Sequence, residues 1–493
     1  MKRIFFKLMI ISFFLPVHLN AQTTFERTYG GTDEDIGYSI RQTAEGGYII
    51  AGWTRSFGAG GSDVYLIKTD TVGDTLWTKT YGGSSDDLGL SVQQTTDGGY
   101  VVAGWTASYG AGSEDVYLIK TDANGDTTWT KTYGGSQLDK GRSVQQTADG
   151  GYIIAGETFG TGSADVYLIK TDSNGDMVWS TSVNELLNDF GYSVQQTTDG
   201  GYVIAGYTQA MTGYYDAYLV KTNATGDVTW TSSYGGVSMD FALCVQQTVD
   251  DGYIMTGNTI SFSPPPEDVY LIKTDANGDT TWTKTYGGTD EDAGYFVQQT
   301  NDGGYIVTGV TGSSVTGDYD VYLIRTDASG NESWTKTFGG GGNEQGYSIR
   351  QTDDGGFAIT GQASSFGAGD ADVYFIKTDE SGTVGIHDNE TPSVVIPKSY
   401  FLSQNYPNPF NPSTTIAFDI PETVGTKQPV ILTIYDIRGR RVRTLIDSDL
   451  QPGSYTIHWD GRNDGEEKVA SGIYLYTLRA GEERFTRKMT VLK

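Results

Sequence analysis

The chain has 493 residues, with 33 Lys and Arg against 61 Asp and Glu, for a formal net charge of -28. It contains 67 Gly, 33 Tyr and a single Cys. Gly at about twice its usual share, together with abundant aromatics, excludes a disordered chain and disfavours a helical bundle. The acidity argues against a nucleic-acid partner, which needs clustered Lys and Arg, and one Cys excludes an internal disulfide framework.

The first 21 residues have the layout of a secretory signal peptide. Lys2, Arg3 and Lys7 precede the apolar run Ile4–Leu15, and Leu19-Asn20-Ala21 forms a small-residue cleavage site before Gln22. The apolar run is short for a membrane span, and no later segment reaches that length, so export without a transmembrane anchor is expected.

Residues 22–385 repeat. The Gly-Gly-Tyr marker places an aromatic at Tyr48, Tyr100, Tyr152, Tyr202, Tyr253, Tyr305 and Phe357, with spacings of 52, 52, 50, 51, 52 and 52. Asp-Val-Tyr-Leu-Ile-Lys-Thr-Asp recurs from Asp63, and a Trp recurs from Trp77 to Trp334. Each unit reads as four strands rich in Tyr, Val, Ile and Thr, which in the first repeat are residues 37–43, 47–54, 63–70 and 74–81. Gly-containing turns join them. The third strand is apolar without alternation, as a strand covered on both faces should be.

Seven such units predict an all-β, seven-bladed β-propeller with four-stranded blades. The last repeat lacks its Trp strand, yet Phe25-Glu26-Arg27-Thr28-Tyr29-Gly30-Gly31 matches Trp77-Thr78-Lys79-Thr80-Tyr81-Gly82-Gly83. The N-terminal strand is therefore expected to complete the last blade, removing open edges. The repeats resemble widespread secreted bacterial propeller repeats with no fixed function.

A linker is expected at residues 386–399 and a small Ig-like β-sandwich at residues 400–493. Strand-like runs fall at 430–435, 454–459, 472–478 and 484–492. The motifs Tyr406-Pro407-Asn408-Pro409-Phe410-Asn411-Pro412, Ile434-Tyr435-Asp436-Ile437-Arg438-Gly439-Arg440 and Ala470-Ser471-Gly472-Ile473-Tyr474-Leu475-Tyr476 occur in order. They resemble the type A C-terminal sorting domain of the type IX secretion system, a module similar to the Ig-like domain of flagellar hook-capping proteins. That resemblance implies the type IX machinery as a partner, and a secreted or outer-membrane surface-attached product. It implies nothing about the activity of the cargo. Residues 22–397 hold 50 acidic and 17 basic side chains, and residues 398–493 hold 11 and 13, so the repeats carry the acidity, mostly a solubility device.

Chemistry is expected on the varied loops between the second and third strands. Trp53, Phe57, Trp105, Tyr109, Tyr207, Tyr214 and Phe262 either stack on a glycan or protein ligand or pack blade against blade. An acidic position two residues before each inner strand, at Asp35, Asp87, Asp139, Asp189, Asp240, Asp292 and Glu344, either rings one face as a cation site or caps its own turn. The Asp-x-Asn-Gly-Asp turns, such as Asp122 to Asp126, lack calcium-loop spacing and read as hairpin turns. No cofactor and no metal site are expected, calcium being the one alternative left open.

No catalytic residue is assigned. The repeats contain no His, which excludes His-dependent triads and the common zinc sites there. Three functions remain open. The first is a monomeric surface propeller that binds a glycan or surface protein. The second is a carboxylate-based polysaccharide hydrolase or lyase. The third is a structural or adhesin repeat.

Overall fold

The computed structural model describes residues 23–384 except 161, 185–186, 263–265 and 313–317. It also describes residues 400–491 except 404, 406–407, 409, 411–413, 422–426, 451–452, 466 and 482. The expected signal segment, the linker, and Tyr406, Pro407, Pro409, Asn411 and Pro412 of the sorting motif lie outside the described residues. The described residues are all β, in two compact units divided between Gly385 and Ile386.

In the N-terminal unit the described strands form seven four-stranded antiparallel sheets, a β-propeller-like repeat fold. Short β1 (Phe25–Tyr29) precedes the first sheet. That sheet runs β2 (Asp35–Gln42), β3 (Tyr48–Thr54), β4 (Asp63–Thr69), β5 (Thr75–Tyr81), each paired with the next. These limits differ from the expected ones by at most two residues. β1 lies instead in the last sheet, antiparallel to Asp372–Thr378, with Phe25 opposite Lys377 and Tyr29 opposite Val373. It sits where β5 sits in the first sheet.

Local chemistry explains the regularity. β3 and β4 are buried along their whole length, so their apolar runs need no alternation. Six of the seven inner strands carry a bulge, between Gly37 and Ser39 in the first sheet. Opposite it, a Cβ at Gly52 would sit 1.7 Å from the Ile36 carbonyl oxygen, so only Gly fits. The fifth sheet has Ala242 at the bulge glycine's position, and its inner strand is the shortest, Cys244–Gln247.

Cores form between sheets. Ile49, Ala51 and Leu66 pack with Val92, Tyr100 and Ile119 of the next sheet, and Trp77 meets Tyr100 edge-on at 5.9 Å. Burying one such aliphatic side chain is worth about 1.5–3 kcal/mol. The first and last sheets pack in the same way. Phe25, Ala358 and Phe375 share a cluster with Ile40, Tyr48 and Ile50, and the Asp353 N–H donates to Gln42 Oε1 at 2.9 Å.

The C-terminal unit has a three-stranded and a four-stranded sheet around Leu402, Ile416, Phe418, Ile434, Trp459 and Leu478. Its strand Arg441–Leu450 has no counterpart in the sequence reading. It is an edge strand whose Arg and Asp residues face solvent, so it shows no apolar alternation.

Candidate functional site

The acidic positions lie where the loops between second and third strands meet the inner strands. All seven carboxylates are buried, at 0–2 % exposure. Each is used by the protein. The Gly31 N–H and the Ser56 hydroxyl both donate to Asp35 Oδ2 at 2.7 Å. Asp87 takes Gly83 and Ser108, Asp240 takes Gly236 and Ser261, and Glu344 takes the Gly340, Ser364 and Ser365 N–H groups. Asp139 and Asp292 accept from Gly135 and Gly288, and Asp189 is the buried counterpart in the fourth sheet. Among the described residues no group of three or more His, Cys, Asp or Glu is placed to hold a metal ion. The Asp122 carboxylate likewise serves its own turn, accepting the Asn124 and Asp126 N–H groups at 2.8 and 2.9 Å.

This capping positions aromatic rings. Ser56, Ser108 and Ser261 each precede an exposed ring: Phe57 at 44 %, Tyr109 at 48 % and Phe262 at 50 %. Phe366, a residue the sequence reading did not single out, occupies the same place at 41 %. The repeat of Ser56-Phe57-Gly58-Ala59-Gly60 as Ser365-Phe366-Gly367-Ala368-Gly369 was the signal for it. Each ring rests on a tyrosine of its own sheet, with centroids 5.7, 5.8, 5.4 and 5.9 Å from Tyr65, Tyr117, Tyr270 and Tyr374. One face of each is thereby supported. Tyr214 is also exposed. Beneath Tyr109 an open groove of about 530 Å³ runs between Tyr81, Tyr117 and Lys131.

Three expected rings are corrected by their packing. Trp53 is buried beneath the Arg55 guanidinium. The Lys140 ammonium covers Trp105 at 4.5 Å. Tyr207 sits among Phe190, Tyr192, Tyr215 and Phe241, with centroids 4.8–5.3 Å away. These side chains fill gaps between sheets and offer little free ring surface.

The inner strands enclose a central cavity of about 520 Å³ that the sequence reading missed. Tyr38, Tyr295 and Tyr347 line it, with Tyr347 stacked on Tyr38 at 4.7 Å. Arg41, Arg142 and Arg350 line it too, and none of its described lining residues is Asp or Glu. Cys244 lies in the same wall, buried, its thiol facing the Val297 carbonyl at 3.6 Å. Burial pushes that thiol's pKa up, away from the reactive thiolate.

Residues 410–483 match the FlgD Ig-like domain. In that segment Phe410 is buried against Trp459, and its N–H donates to the Thr490 carbonyl at 3.0 Å. Asn408 Oδ1 accepts the Thr490 N–H at 2.8 Å. The regulatory protein FlaEY of Caulobacter vibrioides is 29% identical over 112 residues, which are 20% of this chain and 12% of that protein. Among solved structures, PorZ is similar over 94% of this chain and 60% of its own, with 12% identity and a TM-score of 0.42. PorZ is described as an essential bacterial surface component of the type IX secretion system of Porphyromonas gingivalis. Sqt1 from Chaetomium thermophilum is similar over 72% of this chain and 99% of its own, with 11% identity and a TM-score of 0.39. The chain thus spans under two thirds of FlaEY and of PorZ.

Proposed function

We propose that this chain is a monomeric, closed seven-bladed propeller displayed at or released from the cell surface, which binds a glycan or surface protein through its aromatic loop end. In this reading the N-terminal segment directs export, the C-terminal domain hands the chain to the type IX secretion machinery, and the repeats are the cargo. The antiparallel pairing of β1 with the last sheet supports a closed ring. The ordered sorting-domain motifs within and around the FlgD Ig-like match support the export route.

The observation that carries the binding role is the recurrence of Phe57, Tyr109, Phe262 and Phe366 at one loop position, each exposed and each backed by a tyrosine. An exposed ring braced at a tilt against a tyrosine suits contact with a sugar face or a peptide side chain. The acids that hold these loops are buried and accept donors from their own loops, so the reading is of a binder rather than a carboxylate hydrolase, and it requires no metal.

The test is binding of the mature chain, residues 22–493, to arrays of neutral glycans and of surface proteins. A defined hit should weaken about three- to tenfold with each of Phe57→Ala, Tyr109→Ala and Phe262→Ala. A hit indifferent to all three sinks the loop-end reading.

A further inference from the structure

One position in the wall of the central cavity breaks the repeat in two sheets alone. Five inner strands place Gln93, Gln145, Gln195, Gln246 and Gln298 there. Each side-chain oxygen accepts the N–H of a glutamine in the next sheet, as Gln93 does from Gln146 at 2.7 Å and Gln195 from Gln247 at 2.6 Å. These five bonds stitch neighbouring sheets together. In the first and last sheets the position is Arg41 and Arg350, which have no acceptor to offer. The two exceptions adjoin, because the last sheet packs on the first.

Arg142, in the same wall, is held by two hydrogen bonds to Glu157 at 2.6 and 3.0 Å. Among the described residues no ion pair is formed by Arg41 or Arg350. Arg41 donates to its neighbour's carbonyl, Ile40, at 3.0 Å, and Arg350 lies 4.0 Å from the Phe296 ring centroid. Burial pulls the Arg41 pKa down to about 10 and that of Arg350 well below its ordinary range, with Arg41 itself lowering it further. Two adjoining, half-buried cations that line one cavity without a counter-charge are costly unless something negative joins them.

We propose that the cavity binds a small ligand through an oxyanion group, a carboxylate or phosphate, clamped between Arg41 and Arg350. A guanidinium presents paired donors that match both groups. The Tyr38 and Tyr347 rings border the same space, and a volume of about 520 Å³ lies within the range of small-molecule sites. The acidic exterior repels polyanions, so the ligand is a small free molecule rather than an acidic polymer. This site is independent of the loop-end reading.

The test uses the mature chain, residues 22–493, titrated calorimetrically with inorganic phosphate and with glucuronate against chloride at equal ionic strength. An acidic polysaccharide serves as a separate arm. The key variant is Arg41→Gln/Arg350→Gln, which installs the residue that five sheets already use and so suits the fold. Wild type is expected to bind one free oxyanion saturably, the double variant at least tenfold more weakly, and neutral-glycan binding to be the same in both. Arg41→Gln and Arg350→Gln alone are each expected to lose several-fold, and they carry the test if the double variant does not fold. Binding only to the polysaccharide overturns the free-ligand assignment. No saturable binding to either free anion, or equal binding in wild type and double variant, overturns the site.

Discussion

The two ends of each sheet hold carboxylates in opposite surroundings. At the hairpin end, Asp97, Asp149, Asp199, Asp250, Asp302 and Asp354 each face a buried cation of their own sheet. Desolvation alone would raise these carboxyls. The Thr hydroxyl, the Lys ammonium and a Gly N–H outweigh it and hold Asp97, Asp149 and Asp199 down at about 2. At the loop end, Asp63, Asp216, Asp320 and Asp372 form no ion pair among the described residues. Desolvation raises them, and the carboxylates of Asp87, Asp240, Glu344 and Asp35 add to the rise. The same acidic repeat therefore stabilises itself at one end and stores like-charge repulsion at the other. A net charge of -28 does not reveal that division.

The largest effect should come from removing a hairpin-end cation. Lys221 is 6 % exposed and donates to Asp199 Oδ2 and to the Thr222 carbonyl, both at 2.9 Å. Lys221→Met keeps the apolar stem but leaves a buried carbonyl without its donor, which costs about 1–3 kcal/mol. Chemical denaturation should show a lower midpoint with an unchanged slope. An unchanged midpoint would mean that the lysine is held by the fold and contributes little.

The partner acid should matter less, because Asp199 is largely solvent-exposed and its ion pair is screened. Asp199→Asn should cost up to about 1 kcal/mol at neutral pH. The pH dependence has a definite sign. Folding lowers this carboxyl from its unfolded value near 4 to about 2. Its contribution is therefore present above pH 4 and disappears as pH falls toward 2. The gap between wild-type and Asp199→Asn melting temperatures should close over that window, and a gap that persists at pH 2 would refute the assignment.

The repeat and the exchange of its N-terminal strand were legible beforehand, whereas the hairpin-end ion pairs and the cavity were not. Tyr48 and its six counterparts report a packing position that every sheet must fill identically, so their spacing exposes the repeat. The likeness of Phe25–Gly31 to Trp77–Gly83 shows where β1 belongs, because the outer strand meets the same neighbours in each copy. Arg41 and Arg350 are a different case. As residues they look like ordinary polar substitutions in a Gln-Gln pair, and they lie 309 positions apart. Only the packing of the last sheet on the first makes them neighbours. Trp53 and Trp105 misled for a related reason. They sit at strand ends beside the varied loops, but the side chains of Arg55 and Lys140 fold over them.

The smallest effect has the opposite sign and sharpens the contrast most. Asp63 is 2 % exposed, and its Oδ2 accepts the Ala59 N–H at 2.7 Å. Gly82 separates it from Asp87: a Cβ there would touch Asp63 Oδ1 at 2.0 Å and Asp87 Oδ2 at 2.7 Å. Asn at position 63 retains an acceptor for Ala59 and removes one of two facing charges. Because folding raises this carboxyl, with desolvation the main cause and Asp87 adding to it, the stability it contributes is present below the unfolded value near 4 and is lost as pH rises through the folded one. Asp63→Asn should therefore raise the melting temperature at pH 7 by a degree or two, for a gain of about 0.5 kcal/mol. The gain should vanish near pH 4, where the hairpin-end variant still shows its loss. A loss at pH 7 would mean that the Asp63 charge is balanced by a group beyond Asp87, and that the two ends of the sheets are alike after all.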